Sequence, residues 1–363
     1  MVENALKTIN FEQAIAKQFK LVDEITKEFS GEEFLNLGDL GVNPENNMPK
    51  TTRKIEKIIA RFFDQEDGIF VRGAGTGAIR YALASVLNTG DTLLVHTSPI
   101  YSTTETTIKL LGINIVSVDF NDIDKLEKLV KASENIKAAL IQYTRQSPFD
   151  SYDIEEVISV IKKNSKMKII TDDNYAVMKV EKIGVECGAD LSCFSCFKLL
   201  GPEGVGFVVG KKQLTDVIRT YHYSGGSQTQ GFEAKEALRG LVHAPVVHAI
   251  QSREIDRLVD RLNKKEIKGI DQAIIANAQS KVALVKFDKP IAQEVVREAE
   301  KLGAAPYPIG AESKYEIAPM FYRLSKTIRD LGEEYTTHWI RINPMRSGAD
   351  TVLRILKEAM ERV

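Results

Sequence analysis

Cysteine, tryptophan and histidine are scarce in this chain of 363 residues, which holds three, one and five of them. Cys187, Cys193 and Cys196 crowd together, too few and too close for a disulfide framework, and they fit a reducing compartment. Cys193 and Cys196 form a C-x-x-C, but no second pair or nearby histidine completes a zinc set, so they read as buried packing. An excess of either charge is also missing: 49 basic residues against 50 acidic leave a net charge of -1, which gives no electrostatic surface for nucleic acid or anionic lipid. No apolar run is long enough to span a bilayer, and the opening "MVENALKTINFEQAIAKQFK" lacks the apolar core of a signal peptide. The expected compartment is the cytoplasm.

What remains is the composition of a globular protein, 43% hydrophobic and 27% charged. From about residue 67, short apolar runs ("GIFVRG", "DTLLVHT", "INIVSVDF", "KAALIQYT", "KMKIITDD", "DLSCFSCF", "GVGFVVG") alternate with amphipathic stretches such as "AIRYALASVL" and "IEEVISVIKK". That rhythm predicts βαβ units: an α/β large domain with a mainly parallel, doubly wound sheet. After a long helical stretch, "KVALVKF", "PIAQEVVREAEKLG", "HWIRINP" and "ADTVLRILKEAMERV" predict a smaller α+β C-terminal domain. The expected division is residues 1–45 as a helical segment packing on the small domain, 46–248 as the large domain and 249–363 as the small one.

Ligands of such sheets sit beyond the carboxyl ends of the strands, so the polar residues there carry the functional reading. In "FVRGAGTGAIRYAL", Gly73, Gly75 and Gly77 separate a strand from a helix, a pattern suited to a phosphate cup with Thr76 as hydroxyl donor. The spacing is GxGxG, not the GxGxxG of dinucleotide folds, and no GK[ST] follows, which disfavours NAD and a P-loop. "KIITDDNYAVM" ends a strand on Asp172 and Asp173, and successive side chains there point to opposite faces. Lys198 stands alone in "SCFSCFKLLGPEGVG", where an apolar run meets a glycine-rich turn. A desolvated lysine loses its proton readily and becomes a nucleophile toward carbonyls. A lysine snorkelling to water is the commoner case.

The order of cup, acid and lysine resembles fold-type I pyridoxal 5′-phosphate (PLP) enzymes. "SCFKLLGPEGVG" is similar to the S-x-x-K-x-x-G-P-x-G-x-G signature of class V aminotransferases and cysteine desulfurases. The same region resembles selenocysteine synthase-like enzymes, and the C-terminal part resembles YhfS-type proteins. The resemblance implies PLP as cofactor, with Lys198 as the Schiff-base lysine and Asp172 paired with the pyridinium nitrogen. It implies Ser195, Gly75, Thr76 and Gly77 on the phosphate and Tyr101 stacked on the ring. Gln142 or Arg145 would meet the phenolic oxygen. Arg341 would take the substrate carboxylate, with Arg346 and Arg323 as alternatives, and Arg145, Tyr315, Ser313 and Arg323 are further candidates around the substrate. "YSGGSQTQGFEA" resembles a loop that approaches the partner subunit, so Gln228 or Thr229 would reach the neighbouring site of a homodimer.

Departures narrow the reaction. All three cysteines precede Lys198, so the downstream nucleophilic cysteine of a desulfurase is missing, and Tyr175 stands where class V enzymes often place a glutamine. The expected activity is an aminotransferase working at the α-carbon of an amino acid. The alternative is a PLP-dependent lyase, eliminating a β-substituent or ammonia from an amino acid or amino sugar acid. A non-catalytic binding protein on a degenerate PLP fold is a third reading, disfavoured by the joint presence of Lys198, Asp172 and the cup.

Overall fold

The computed structural model describes residues 6–45, 47–144, 150–277, 280–310 and 312–363. Seven apolar runs form one sheet: β1 (Asp67–Arg72), β2 (Thr92–His96), β3 (Asn114–Val118), β4 (Ile136–Gln142), β5 (Lys168–Asp172), β6 (Leu191–Ser195) and β7 (Val205–Gly210). Their spatial order is β1-β7-β6-β5-β4-β2-β3, and only β7 runs antiparallel to its neighbours. The sheet is doubly wound because successive residues feed opposite cores. Leu93, Leu140 and Ile170 pack with Ala78, Ile79, Ala82 and Leu83 of helix Ala74–Val86. Leu94, Ile141 and Ile169 pack on the other side with Leu126, Val157, Ile158 and Ile161 of helices Ile123–Ala132 and Ile154–Asn164. Burial on both faces explains why these strands read as continuous apolar runs. Because β7 alone is reversed, the carboxyl ends of β1, β4, β5 and β6 lie along one edge.

A second sheet is wholly antiparallel, with order β10-β11-β9-β8, where β8 is Ile270–Asn277, β9 Lys281–Phe287, β10 Met320–Tyr322 and β11 Trp339–Asn343. Ala283, Val285 and Phe287 of β9 pack against Val295 and Ala299 of helix Ala292–Lys301 and Val352 and Leu356 of helix Ala349–Glu361. Val282 and Leu284 face Leu324, Ile328 and Trp339. The helical stretch before this sheet is a single helix, Gly231–Asn263, with Pro245 inside it.

The chain divides into a larger unit, Glu12–Tyr143 with Ser151–Pro245, and a smaller one, Val246–Val363 with residues 6–11, Thr144 and Asp150. Helix Phe11–Glu28 belongs to the larger unit because its charged residues find their partners there: Lys20 pairs with Asp64 at 2.9 Å, Glu24 with Arg61 at 2.8 Å, and Lys17 Nζ donates to the Glu181 carbonyl at 2.9 Å. The extended start of the chain joins the smaller unit, where the Thr8 and Ser252 hydroxyls meet at 2.7 Å. No helix of the described residues is long and apolar enough to cross a membrane.

Candidate active site

Lys198 does not lie on a strand. β6 ends at Ser195, and the lysine follows in a short 3₁₀ turn, Phe197–Leu199, closed by Leu200 in the left-handed conformation at φ 65°. Its side chain is half-buried, and Nζ stands 3.9 Å from the centroid of the Tyr175 ring. Tyr175 is itself left-handed at φ 66°, uncommon for an aromatic residue. A second lysine, the buried Lys179, has its Nζ 5.4 Å from the same ring centroid.

The two strand-end acids separate as the alternation of a strand requires. Asp172 is buried, and its Oδ1 accepts from both the backbone N–H of Asn174, at 3.1 Å, and the side-chain amide, at 2.7 Å. Burial pushes its carboxyl up, while the Asn174 amide and the positive charge of Lys198 pull it back, so lysine and acid act on each other electrostatically. Asp173 turns the other way: its Oδ2 accepts from the Thr171 hydroxyl at 2.8 Å and the Gly184 N–H at 3.3 Å. Fully enclosed, it is pushed up to about 7, first by burial. Gln142 ends β4 in register with Asp172, and cross-strand partners share a face of the sheet.

The glycine segment opens helix Ala74–Val86, with Gly73 left-handed at φ 95° before it. A helix leaves its first N–H groups without intrahelical acceptors. Here Ala74 N–H goes to the Gly204 carbonyl at 3.1 Å and Gly77 N–H back to Gly73 at 2.8 Å, whereas no acceptor among the described residues takes the N–H of Gly75 or Thr76. A Cβ on Gly77 would stand 1.9 Å from the Arg72 carbonyl, and one on Gly75 would stand 2.4 Å from Asn174 Oδ1. The same Asn174 Oδ1 accepts from Ser195 N–H at 3.0 Å. Asn174 therefore ties the helix start, the Asp172 carboxylate and the end of β6 into one cluster. The Thr76 hydroxyl meets that of Thr103 at 2.9 Å.

The remaining candidates have surroundings of their own. Tyr101 precedes helix Ser102–Leu111, is 39% exposed, and makes no ring contact or hydrogen bond with this cluster among the described residues; the ring at Lys198 is Tyr175. Gln228 and Thr229 are buried in their own unit. The Gln228 amide donates to the His222 carbonyl, the Arg72 guanidinium to the Gln228 carbonyl at 2.9 Å, and the Thr52 hydroxyl to the Thr229 carbonyl at 2.7 Å. Arg341 belongs to the smaller unit, where it is buried with its guanidinium 4.2 Å from the Tyr322 ring centroid on the paired strand. Tyr315 and Ser313 are in that unit too, with Tyr315 N–H donating to the Ser313 hydroxyl at 3.2 Å. Arg346 is spent on Gln251 Oε1 at 2.9 Å and on the carbonyls of Glu312 and Ser313. Arg145 lies outside the described residues.

Sequence reasoning missed Asn174. Its only signal was a side-chain amide immediately after a strand-end acid. The larger unit thus holds a lysine, a buried carboxylate within its field and a helix start with two N–H groups awaiting an acceptor. This donor set fits a cofactor bearing a carbonyl, a basic ring nitrogen and a phosphate.

Comparison with known proteins agrees with this chemistry. The aminotransferase class-V family model matches residues 8–295, and that of the YhfS-like C-terminal domain matches residues 256–356. The chain is 50% identical over 358 residues to the uncharacterized protein YhfS of Escherichia coli (strain K12), covering 99% of both chains. It superposes on the crystal structure of the pyridoxal-5′-phosphate dependent protein YhfS from Escherichia coli with a TM-score of 0.98 over 100% of both chains. A methionine gamma lyase from Micromonospora echinospora, CalE6, shares the fold at a TM-score of 0.73 and 14% identity, over 95% of this chain and 98% of that one. A cysteine desulfurase of Wigglesworthia glossinidia brevipalpis is 26% identical over 200 residues, 52% of this chain and 48% of that one.

Proposed function

The chain belongs to the class-V aminotransferase family of fold-type I PLP-dependent enzymes, and from that premise we propose that it is an aminotransferase acting at the α-carbon of an amino acid. The observation that carries the reading is the placement of Lys198 within the field of the buried Asp172 carboxylate, which Asn174 joins to a helix start whose Gly75 and Thr76 N–H groups meet no acceptor among the described residues.

When bound, PLP supplies an electron sink for the substrate α-carbon. The chain's own residues do the rest. Lys198 Nζ would hold the cofactor at its carbonyl carbon, and the same amine, when free, would carry the substrate α-proton. Asp172 keeps the ring nitrogen protonated, an arrangement that lowers the cost of leaving its carboxylate charged in a buried place. Gly75 and Thr76 N–H groups, the helix dipole behind them and the Ser195 and Thr76 hydroxyls hold the phosphate, with Gly77 keeping the turn tight. Gln142 is assigned to the phenolic oxygen, supported by its register with Asp172. Tyr101 is assigned to the ring face, supported by the contact of its neighbour Thr103 with Thr76. Arg341 is assigned to the substrate carboxylate, because a guanidinium fork matches it with two parallel bonds.

The proposed assembly is a homodimer. Leu35, Leu37, Leu40, Tyr223 and Phe232 are exposed apolar side chains on segments that meet: Gly41 N–H donates to Gln230 Oε1 at 2.7 Å, and the Asn47 amide donates to the Tyr223 carbonyl at 2.5 Å. Gln228 and Thr229 sit on the same loop, which supports their assignment to the neighbouring site. The proposed compartment is the cytoplasm, in keeping with three free thiols.

The test is a single turnover of PLP-loaded protein with a panel of amino acids and no keto-acid acceptor, followed by mass identification of the cofactor. Conversion to pyridoxamine phosphate supports the aminotransferase and names its donor. Unchanged PLP with released ammonia and a keto product overturns it in favour of a lyase.

A further inference from the structure

The smaller unit holds a cavity of about 300 Å³ that, apart from the alternative candidate Arg323, none of the residues assigned to cofactor or substrate lines. Its walls are Ala292, Gln293, Val296 and Arg297 of helix Ala292–Lys301, Pro306 and Tyr307 beyond that helix, Arg323 after β10, Arg329 and Thr336, and Trp339 and Ile340 at the start of β11. Three guanidinium groups line it, and no carboxylate among the described residues does.

These cations are incompletely answered by the protein. Arg323 has no hydrogen-bond or ion-pair partner among the described residues. Arg329 spends only its Nε, on the Leu324 carbonyl at 3.1 Å, which fixes the guanidinium and leaves its terminal nitrogens to point elsewhere. Arg297 pairs with Glu294 at 2.7 Å, an exposed contact of the kind that contributes little. Concentrating like charges in one concavity raises the local potential and lowers the energy of an anion placed there. The neutral walls complete the description: Val296, Pro306, Ile340 and the Trp339 ring are apolar, while Gln293 and Thr336 offer single polar contacts.

We infer that this pocket binds a small organic dianion whose charged groups are phosphate or carboxylate, gripped by Arg323, Arg329 and Arg297 against the wall of Trp339 and Ile340. Guanidinium forks match both anions in the bidentate geometry. The volume stands at the lower end of ligand pockets. At about 30 Å³ per water-sized group, it admits a ligand of roughly ten non-hydrogen atoms.

The chain carries its own reporter, because Trp339 is its single tryptophan and is buried in the wall of this pocket. The experiment titrates PLP-loaded full-length protein, whose phosphate cup is already filled, with inorganic pyrophosphate and separately with succinate at constant ionic strength. The expected result is a saturable change in tryptophan emission with at least one of them, with the dissociation constant raised tenfold or more in Arg323→Ala and in Arg297→Ala. Saturation by pyrophosphate alone identifies a phosphate ligand, and saturation by succinate alone a carboxylate; both uphold the site. Both variants alter exposed arginines, and an unchanged melting temperature certifies their folding. A response that never saturates, that KCl reproduces, or that is identical in the two variants overturns the inference.

Discussion

Lys198 places its ammonium 3.9 Å from the centroid of the Tyr175 ring, and Tyr175 takes up a left-handed backbone at φ 66° in doing so. A cation over an aromatic face is worth about 0.5–2 kcal/mol depending on desolvation, so the ring face helps to restrain the lysine. Tyr175→Phe, which keeps the ring, is expected to retain activity within about threefold. Tyr175→Ala is expected to lose roughly tenfold in kcat, of the order of the cation–π contribution. Equal losses in both variants would show that the hydroxyl, not the ring face, matters.

Lys198→Ala is expected to lower turnover by about 10²–10⁴-fold or more, since proton transfer at the substrate carbon is lost. Borohydride treatment should fix the cofactor to the peptide bearing Lys198 in the wild type and to no peptide in the variant. Wild-type turnover by Lys198→Ala would end the proposed function.

Asp172 and Asp173 are expected to separate by assay. Asp172→Asn should weaken turnover by about 10²–10³-fold, the scale of losing one preorganised electrostatic partner, with little change in folding. Asp173→Asn should leave turnover nearly intact and change the pH dependence of stability. Its carboxyl, pushed up to about 7, lies above the ordinary value of 3.8, so the folded state holds a proton that the unfolded state releases. The stabilising contribution is complete below pH 4 and is lost as pH rises through about 7. Melting temperatures from pH 4 to 8 should fall more steeply for the wild type than for Asp173→Asn. Parallel curves would refute this.

The two cup glycines should fail differently. In Gly77→Ala the new methyl meets the Arg72 backbone carbonyl, which cannot swing away, and overpacking of this kind costs about 1–3 kcal/mol or more. In Gly75→Ala it meets the Asn174 amide, a movable side chain. A lowered melting temperature is expected for the first. For the second, the expected outcome is near-native stability with weakened PLP affinity, and a second variant as unstable as the first would argue against a movable amide.

The cysteines are expected to be inert. Burial, the foremost cause, pushes the Cys187 thiol up to about 12 and those of Cys193 and Cys196 well above their ordinary value, so little thiolate exists at neutral pH. Iodoacetamide at pH 8 should label the native protein far more slowly than the unfolded one, and Cys187→Ser should keep full turnover. Rapid labelling with loss of activity would restore a thiol-based reaction.

Much of this was readable in the chain before folding. The seven strands of the large sheet are apolar runs bounded by turn residues, and cup, acid and lysine each announce themselves at a strand end. β10 was hidden because three residues are too few for a period, and β8 because "IDQAIIAN" follows a helix without a proline or an asparagine-glycine turn to mark its start. The role of Asn174 was hidden for a different reason. Asp172 is its neighbour in sequence, but Gly75 and Ser195 reach it only after the sheet has assembled. The first helix likewise finds its polar partners far away in sequence, the charged Asp64 and Arg61 and the Glu181 carbonyl.

The wedge formed by Asn174 also bears on how such a site can drift over evolutionary time. A side chain at position 75 displaces the Asn174 amide, and an amide that moves releases both the Asp172 carboxylate and the Ser195 N–H. Substitutions at 75 and 174 would have to arrive nearly together, because each alone is poorer than the pair. Positions 75, 172, 174 and 195 should therefore be inherited as a block, and grafting this acid into another scaffold should require moving all four.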